Sequence, residues 1–263
     1  MSAARPPLAG LTVLVPRARD QAGDFSALLR ARGAEPLEVP TIEIRPVAST
    51  AELDRAVGDL AAGRFDWVVL TSVNGVAAVR ARAEALGHGP AAVTTAKVAA
   101  VGPATEAALR LWGVEPDLVP EVATTAALGA AFAARPAASG SGRVLLARAD
   151  LANPELAATL RDKGWAASEV VAYHTVPVGT LDPAARRRLD GGEVDWVAFT
   201  ASSTVTGFLR GYGGPPPPGV RVAAIGPVTA GTARSAGIRV AATAADHTIG
   251  GLVAAIEHAV AAE

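Results

Sequence analysis

Short apolar runs rich in β-branched residues alternate along this chain with longer Ala/Leu/Arg-rich stretches of helical period. The runs Leu11–Val15, Asp66–Leu70, Val98–Val101, Arg143–Leu146, Asp195–Phe199 and Val222–Ile225 are nearly all apolar. Continuous rather than alternating hydrophobicity is what parallel strands covered on both faces display. Helical periodicity falls over Asp20–Arg32, Val76–Leu86, Ala104–Trp112, Pro154–Lys163, Val205–Leu209 and Val228–Ala236. Gly33, Gly113, Gly164 and Gly237 follow four of these stretches and read as C-terminal caps. The alternation predicts doubly wound α/β layers.

The pattern occurs twice. The segment VAAVGPATEAALRLWG (98–113) matches VAAIGPVTAGTARSAG (222–237), Asp66-Trp67-Val68 with Thr71 matches Asp195-Trp196-Val197 with Thr200, and Val13, Leu14, Arg17 and Gly33 match Val144, Leu145, Arg148 and Gly164. Three units in one order at a nearly constant offset indicate an internal duplication. Two extended stretches, Val39–Val47 and Glu169–Val178, correspond at the same offset and carry Pro40, Pro46 and Pro177, which suit a connecting ribbon better than a central strand. Paired as a two-stranded ladder (39–47 and 169–178), they would carry the chain across twice. The expected fold is α/β, with two similar doubly wound parallel-sheet lobes and a cleft between them: residues 1–38 with 179–263, and residues 48–168. The loops Pro136–Gly142 and Gly211–Gly219 read as connectors without a ligand.

Composition narrows the function classes. With half of its 263 residues apolar and 19% charged, the chain has material for packed cores. A formal net charge of −1 offers no global attraction to nucleic acid or anionic lipid, so an anionic partner must be captured by local groups. The absence of cysteine removes disulfides, thiolate metal sites and thiol catalysis. MSAARPPLAG has no apolar stretch long enough for a signal peptide and no membrane-length apolar run follows, so the expectation is a cytoplasmic protein with no membrane partner. Lys97 and Lys163 are the only lysines, a bias ascribed to genome composition. No dinucleotide fingerprint follows a strand, no P-loop or nucleophile elbow is present, and His88, His174, His247 and His258 lack ligand spacing; no metal is expected.

What remains is anion chemistry at strand ends. In VGPAT and IGPVT a buried strand ends at Gly102 or Gly226, proline takes the first helical position, and Thr105 or Thr229 follows. Free N–H groups at such helix starts attract anions; capping by the threonines is the plainer alternative. Thr71-Ser72-Val73-Asn74 and Thr200-Ala201-Ser202-Ser203 place short hydroxyls where open α/β sheets bind ligands, or where helices are capped. Arg17 and Arg148 stand beyond equivalent strand ends, suited to a carboxylate or to solvent. Tyr173, one of two tyrosines, lies in the second bridge segment, either bordering the cleft as a hydrogen-bond donor or packing a hinge.

Taken together, these residues resemble the uroporphyrinogen-III synthase family. The resemblance spans nearly the whole chain: Val15-Pro16-Arg17, Thr71-Ser72, VGPAT, Val171–Thr175, FTASS at 199–203, IGPVT and Thr248–Leu252. It implies two α/β lobes joined by a ladder, and a cofactor-free lyase. Such an enzyme closes the linear octacarboxylate tetrapyrrole hydroxymethylbilane to uroporphyrinogen III, with loss of water and inversion of ring D. The implied catalytic residue is Tyr173; the implied substrate-binding residues are Arg17, Thr71, Ser72, Gly102, Thr105, Thr200, Ser202, Gly226 and Thr229. A monomer with transient contact to the preceding pathway enzyme is expected. The loop Ala152-Asn153-Pro154 departs from the Gly and Arg of many relatives, which leaves Arg148 out of the expected site. Val228 stands where some relatives place a second hydroxyl beside the threonine, and Ala201 replaces a common serine. A two-lobed sensor of a small polyanion, without catalysis, would use the same helix starts.

Overall fold

The computed structural model describes residues 5–133 and 142–262, so all of the Pro136–Gly142 connector except Gly142 lies outside the described residues. In chain order the elements are β1 (Thr12–Val15), α1 (Gly23–Ala31), β2 (Glu35–Glu38), β3 (Ile42–Pro46), α2 (Ala51–Ala61), β4 (Trp67–Leu70), α3 (Val73–Ala85) and α4 (Ala91–Thr94). There follow β5 (Lys97–Ala100), α5 (Pro103–Leu111), α6 (Thr125–Ala131), β6 (Arg143–Ala149), α7 (Glu155–Asp162), β7 (Ala166–Pro177) and α8 (Pro183–Asp190). The chain ends with β8 (Trp196–Phe199), α9 (Ser202–Tyr212), β9 (Arg221–Ala224), α10 (Pro227–Ser235), β10 (Ala242–Thr243) and α11 (Ile249–Ala261).

These elements form two compact units, residues 1–43 with 176–263 and residues 44–175. The first holds the sheet β10-β9-β8-β1-β2, in which every neighbouring pair is parallel. The second sheet runs β3-β7-β6-β4-β5, with β7, β6, β4 and β5 parallel. The inner orders match: β9-β8-β1-β2 corresponds to β5-β4-β6-β7. The early β1–α1–β2 segment therefore completes the late β8–β9 sheet, and the middle β6–α7–β7 segment completes the β4–β5 sheet. β3 and β7, neighbours at one edge, each cross a junction between the units.

The strands are buried because helices cover both faces of each sheet. In the second unit Val68, Leu70, Leu145 and Ala147 pack beneath α2 and α3, and Val69, Val144 and Leu146 beneath α6 and α7. In the first, Val13 and Val15 pack against Phe25, Leu29 and Leu252, whereas Leu14 and Val197 pack against Val205 and Leu189. The repeated Asp-Trp pair is structural: Asp195 Oδ2 accepts the Thr12 N–H at 2.7 Å, and Asp66 Oδ2 accepts the Arg143 N–H at 2.7 Å. Each carboxylate thus fixes the start of the neighbouring strand.

Gly33, Gly113, Gly164 and Gly237 have φ of 87°, 84°, 85° and 78°, the left-handed conformation that ends a helix where other residues are strained. α9 is longer than Val205–Leu209, the stretch its periodicity marks. Gly207 and Gly211 look like breakers, yet they let the helix approach its neighbours: a Cβ on Gly207 would stand 2.5 Å from the Thr41 carbonyl oxygen. β2, with Pro36 and two exposed glutamates, is an edge strand that hydrophobicity does not reveal. Among the described residues, no helix is long and apolar enough to cross a membrane.

Candidate functional site

Parallel strands bring their carboxyl ends to one edge of a sheet, where open α/β folds bind ligands. In the second unit that edge carries Thr71 and Ser72 after β4, Gly102 after β5, Asp150 after β6, and Tyr173 in β7. In the first it carries Arg17 after β1, Thr200 and Ser202 after β8, and Gly226 after β9.

Tyr173 is aimed by a β-bulge. Arg148 of β6 lies opposite Val171, but Ala149 lies opposite Tyr173, leaving Ala172 as an extra residue. Without that slip Tyr173 would share the face of Val171 and Arg148; with it, Tyr173 joins Val170 and Ala172 on the α2–α3 face. There its hydroxyl lies 2.9 Å from Ser72 Oγ. Ser72 caps α3, its Oγ accepting the Gly75 N–H at 3.0 Å. A side chain on Gly75 would crowd the Ala147 carbonyl at 3.0 Å and Ser72 Oγ at 3.3 Å, so this tight start depends on glycine. Burial raises the pKa of Tyr173 above the ordinary phenol value, the hydrogen bond of Ser72 and the nearby Asn74 side chain pull it down, and the charge of Asp150 adds to the rise. The group is a protonated hydroxyl at neutral pH.

On the opposite face of the same strand, His174 Nδ1 meets Asp150 Oδ2 at 2.9 Å, and Asp150 Oδ1 accepts the Thr175 N–H at 3.2 Å. Burial pushes the Asp150 carboxyl up, but these bonds and the charge of His174 leave it below the ordinary value.

The two equivalent arginines have separate fates. The Arg148 guanidinium is buried and bound by Glu169 and by the Asn153 carbonyl at 2.7 Å. Among the described residues Arg17 has no ion pair of that kind; Gln21 Oε1 stands 3.5 Å away. Burial lowers the Arg17 pKa against the opposing charges of Asp24 and Asp20, yet an arginine so placed stays cationic at neutral pH.

At the two glycine-proline turns the threonines are not caps. Thr105 and Thr229 are the third residues of α5 and α10, buried at 3% and 5% exposure, and neither helix start has a side-chain cap hydrogen bond. The helix starts have no side-chain cap, and Pro103-Ala104 and Pro227-Val228 are what they expose. Gly102 is required by packing, because a Cβ would stand 2.4 Å from that of Ala123. The corresponding Cβ on Gly226 would meet the His247 ring at 3.0 Å. Ser202 Oγ is paired with Thr232 Oγ1 at 2.7 Å, tying α9 to α10. Thr71 and Thr200 are half-buried. Among the described residues no group of three or more His, Asp or Glu side chains is placed to hold a metal ion.

The profile of the family described as Uroporphyrinogen-III synthase HemD matches residues 23–254. Uroporphyrinogen-III synthase of Synechococcus elongatus is 33% identical over 262 residues, 97% of each chain. The chain belongs to the uroporphyrinogen-III synthase family. The fold agrees with that membership. A variant of the Thermus thermophilus uroporphyrinogen III synthase superposes over 96% of this chain and all of its own, with a TM-score of 0.68 at 24% identity. The Helicobacter pylori uroporphyrinogen-III synthetase does so with a TM-score of 0.60 at 19% identity, again over 96% and 100% of the two chains.

The Ala172 bulge and the His247 ring beside Gly226 escape sequence reading. The first copy reads Thr-Ser-Val-Asn and the second Thr-Ala-Ser-Ser, so the serine that touches Tyr173 is absent where the second copy has no tyrosine.

Proposed function

We propose that this chain closes hydroxymethylbilane to uroporphyrinogen III, with Tyr173 as the group that assists departure of the ring A hydroxyl. The observation that carries the role is the placement of Tyr173: a protonated hydroxyl at the carboxyl edge of the second sheet, held by Ser72. The phenol gives its proton to the leaving oxygen as the C–O bond breaks, water departs, and the electrons of the ring A nitrogen complete an azafulvene. Ring D attacks through its substituted carbon to form a spiro intermediate, which fragments and recloses inverted; the proton lost on rearomatisation restores the phenol. The reaction consumes no cofactor. Spontaneous closure gives the unrotated isomer, so orientation of the chain matters as much as proton transfer.

Eight carboxylates on a flexible chain call for many dispersed donors. Arg17 supplies a cation that feels the charges of Asp24 and Asp20 but, unlike Arg148, is not bound in an ion pair among the described residues. The uncapped starts of α5 at Gly102 and α10 at Gly226 supply N–H groups, with Thr71, Thr200 and Ser202 as hydroxyl donors. The reading includes a cytoplasmic monomer receiving its substrate from the preceding enzyme of the pathway.

Freshly prepared hydroxymethylbilane is the test. With the protein present, chromatography of the oxidised products should show isomer III in place of isomer I. Isomer I alone, with circular dichroism showing folded protein, would overturn the reading and leave a polyanion-binding protein.

A further inference from the structure

We infer that Ser72 is a positioning residue that donates to the Tyr173 oxygen, so that the phenolic hydrogen points away from α3 as the proton Tyr173 can hand on. The inference rests on the role of Tyr173 proposed above. Ser72 Oγ already accepts the Gly75 N–H at 3.0 Å, at the positive end of α3. Its own hydrogen then has the Tyr173 oxygen, 2.9 Å away, as its acceptor. An oxygen that receives the serine hydrogen keeps its own O–H for another group. When that proton leaves, the oxygen acquires negative charge where a donor and a helix start already point, the arrangement that stabilises developing charge without reorganisation. Asp150, on the turn after β6, is the charged group that acts against the phenolate. The second copy shows the converse: Ala201 stands in place of Ser72, and the position equivalent to Tyr173 is Ile42.

Only two tyrosines are present, so Tyr212→Phe leaves Tyr173 as the single phenol. In that background, with 3,5-difluorotyrosine incorporated to bring the titration toward neutral pH, ultraviolet difference spectra follow ionisation at position 173 without substrate. Ser72→Ala and Ser72→Gly should each raise the midpoint by about one pH unit, the size expected for losing one hydrogen bond to a charged oxygen. Ser72→Thr should restore it. With hydroxymethylbilane and natural tyrosine, both variants should lower kcat about tenfold and leave KM within about twofold. Unmoved or lowered midpoints, or a raised KM at constant kcat, would overturn the inference; Ser72→Gly, a residue well tolerated at a helix start, keeps the test open should Ser72→Ala prevent folding. Failure of the wild type to form isomer III would instead count against the proposed reaction, because the titration needs no turnover.

Discussion

The Tyr173 hydroxyl and Ser72 Oγ meet at 2.9 Å across 101 residues of sequence, one on a bulged strand and the other on a helix cap. Tyr173→Phe removes the proton source and leaves the ring in place among Val170 and Ala172. Steady-state assays should show kcat down by about 10²-fold, the scale of one general acid, with KM little changed. Equal losses in turnover and in product affinity would reduce Tyr173 to a packing residue.

Arg17 and Arg148 should separate binding from stability. Arg148→Ala leaves Glu169 with Arg161 alone and opens space beside buried strands, and is expected to lower unfolding free energy by about 1–3 kcal/mol in urea titrations. Arg17→Ala should leave the urea midpoint nearly unchanged and raise KM. The reverse pattern would place the carboxylate-binding arginine in the second unit.

The Glu169 cluster also sets an acid limit. Burial pushes the Glu169 carboxyl up, but Arg161 and Arg148 hold it below the ordinary glutamate value. A depressed folded-state pKa stabilises fully above the unfolded value of about 4.3 and loses that contribution as pH falls through the folded value. Urea midpoints of the wild type and Glu169→Gln should therefore differ at pH 7 and converge on acidification below about pH 4. A constant gap between the two would show that the carboxylate charge is not what stabilises.

At the paired turns, Gly102→Ala should cost more than Gly226→Ala. A methyl at 102 meets the Ala123 Cβ at 2.4 Å, whereas at 226 it meets the His247 ring at 3.0 Å, which can turn aside. Thermal melts should record a loss of about 1–3 kcal/mol at Gly102 and less at Gly226. The backbone at both glycines is extended, so the difference is one of crowding.

What the chain discloses about itself follows from how local each cause is. β1, β4, β6 and β8 are legible because strands buried on both faces must be apolar throughout, and the helix stops because Gly33 and Gly164 take a conformation other residues resist. α9 is masked by glycines that serve its neighbours, and β2 by its exposed glutamates. The Tyr173–Ser72 contact has no local signature. It depends on a one-residue slip between β6 and β7, which alternation along β7 alone would place on the wrong face. Burial of Thr105 and Thr229 is likewise decided by packing that a turn motif does not encode.

The division of the chain into residues 44–175 and the two segments around them sets an order of assembly. Chains emerge amino terminus first and domains fold as units. β1 is made first, yet its partner β8 comes after the whole second unit has been synthesised. The middle segment can close while β1, buried along its whole length in the finished protein, still has an unpaired edge. Slow elongation or truncation between Pro177 and Trp196 would thus leave one finished unit beside an apolar strand awaiting its neighbour, and that strand is where association between nascent chains would begin.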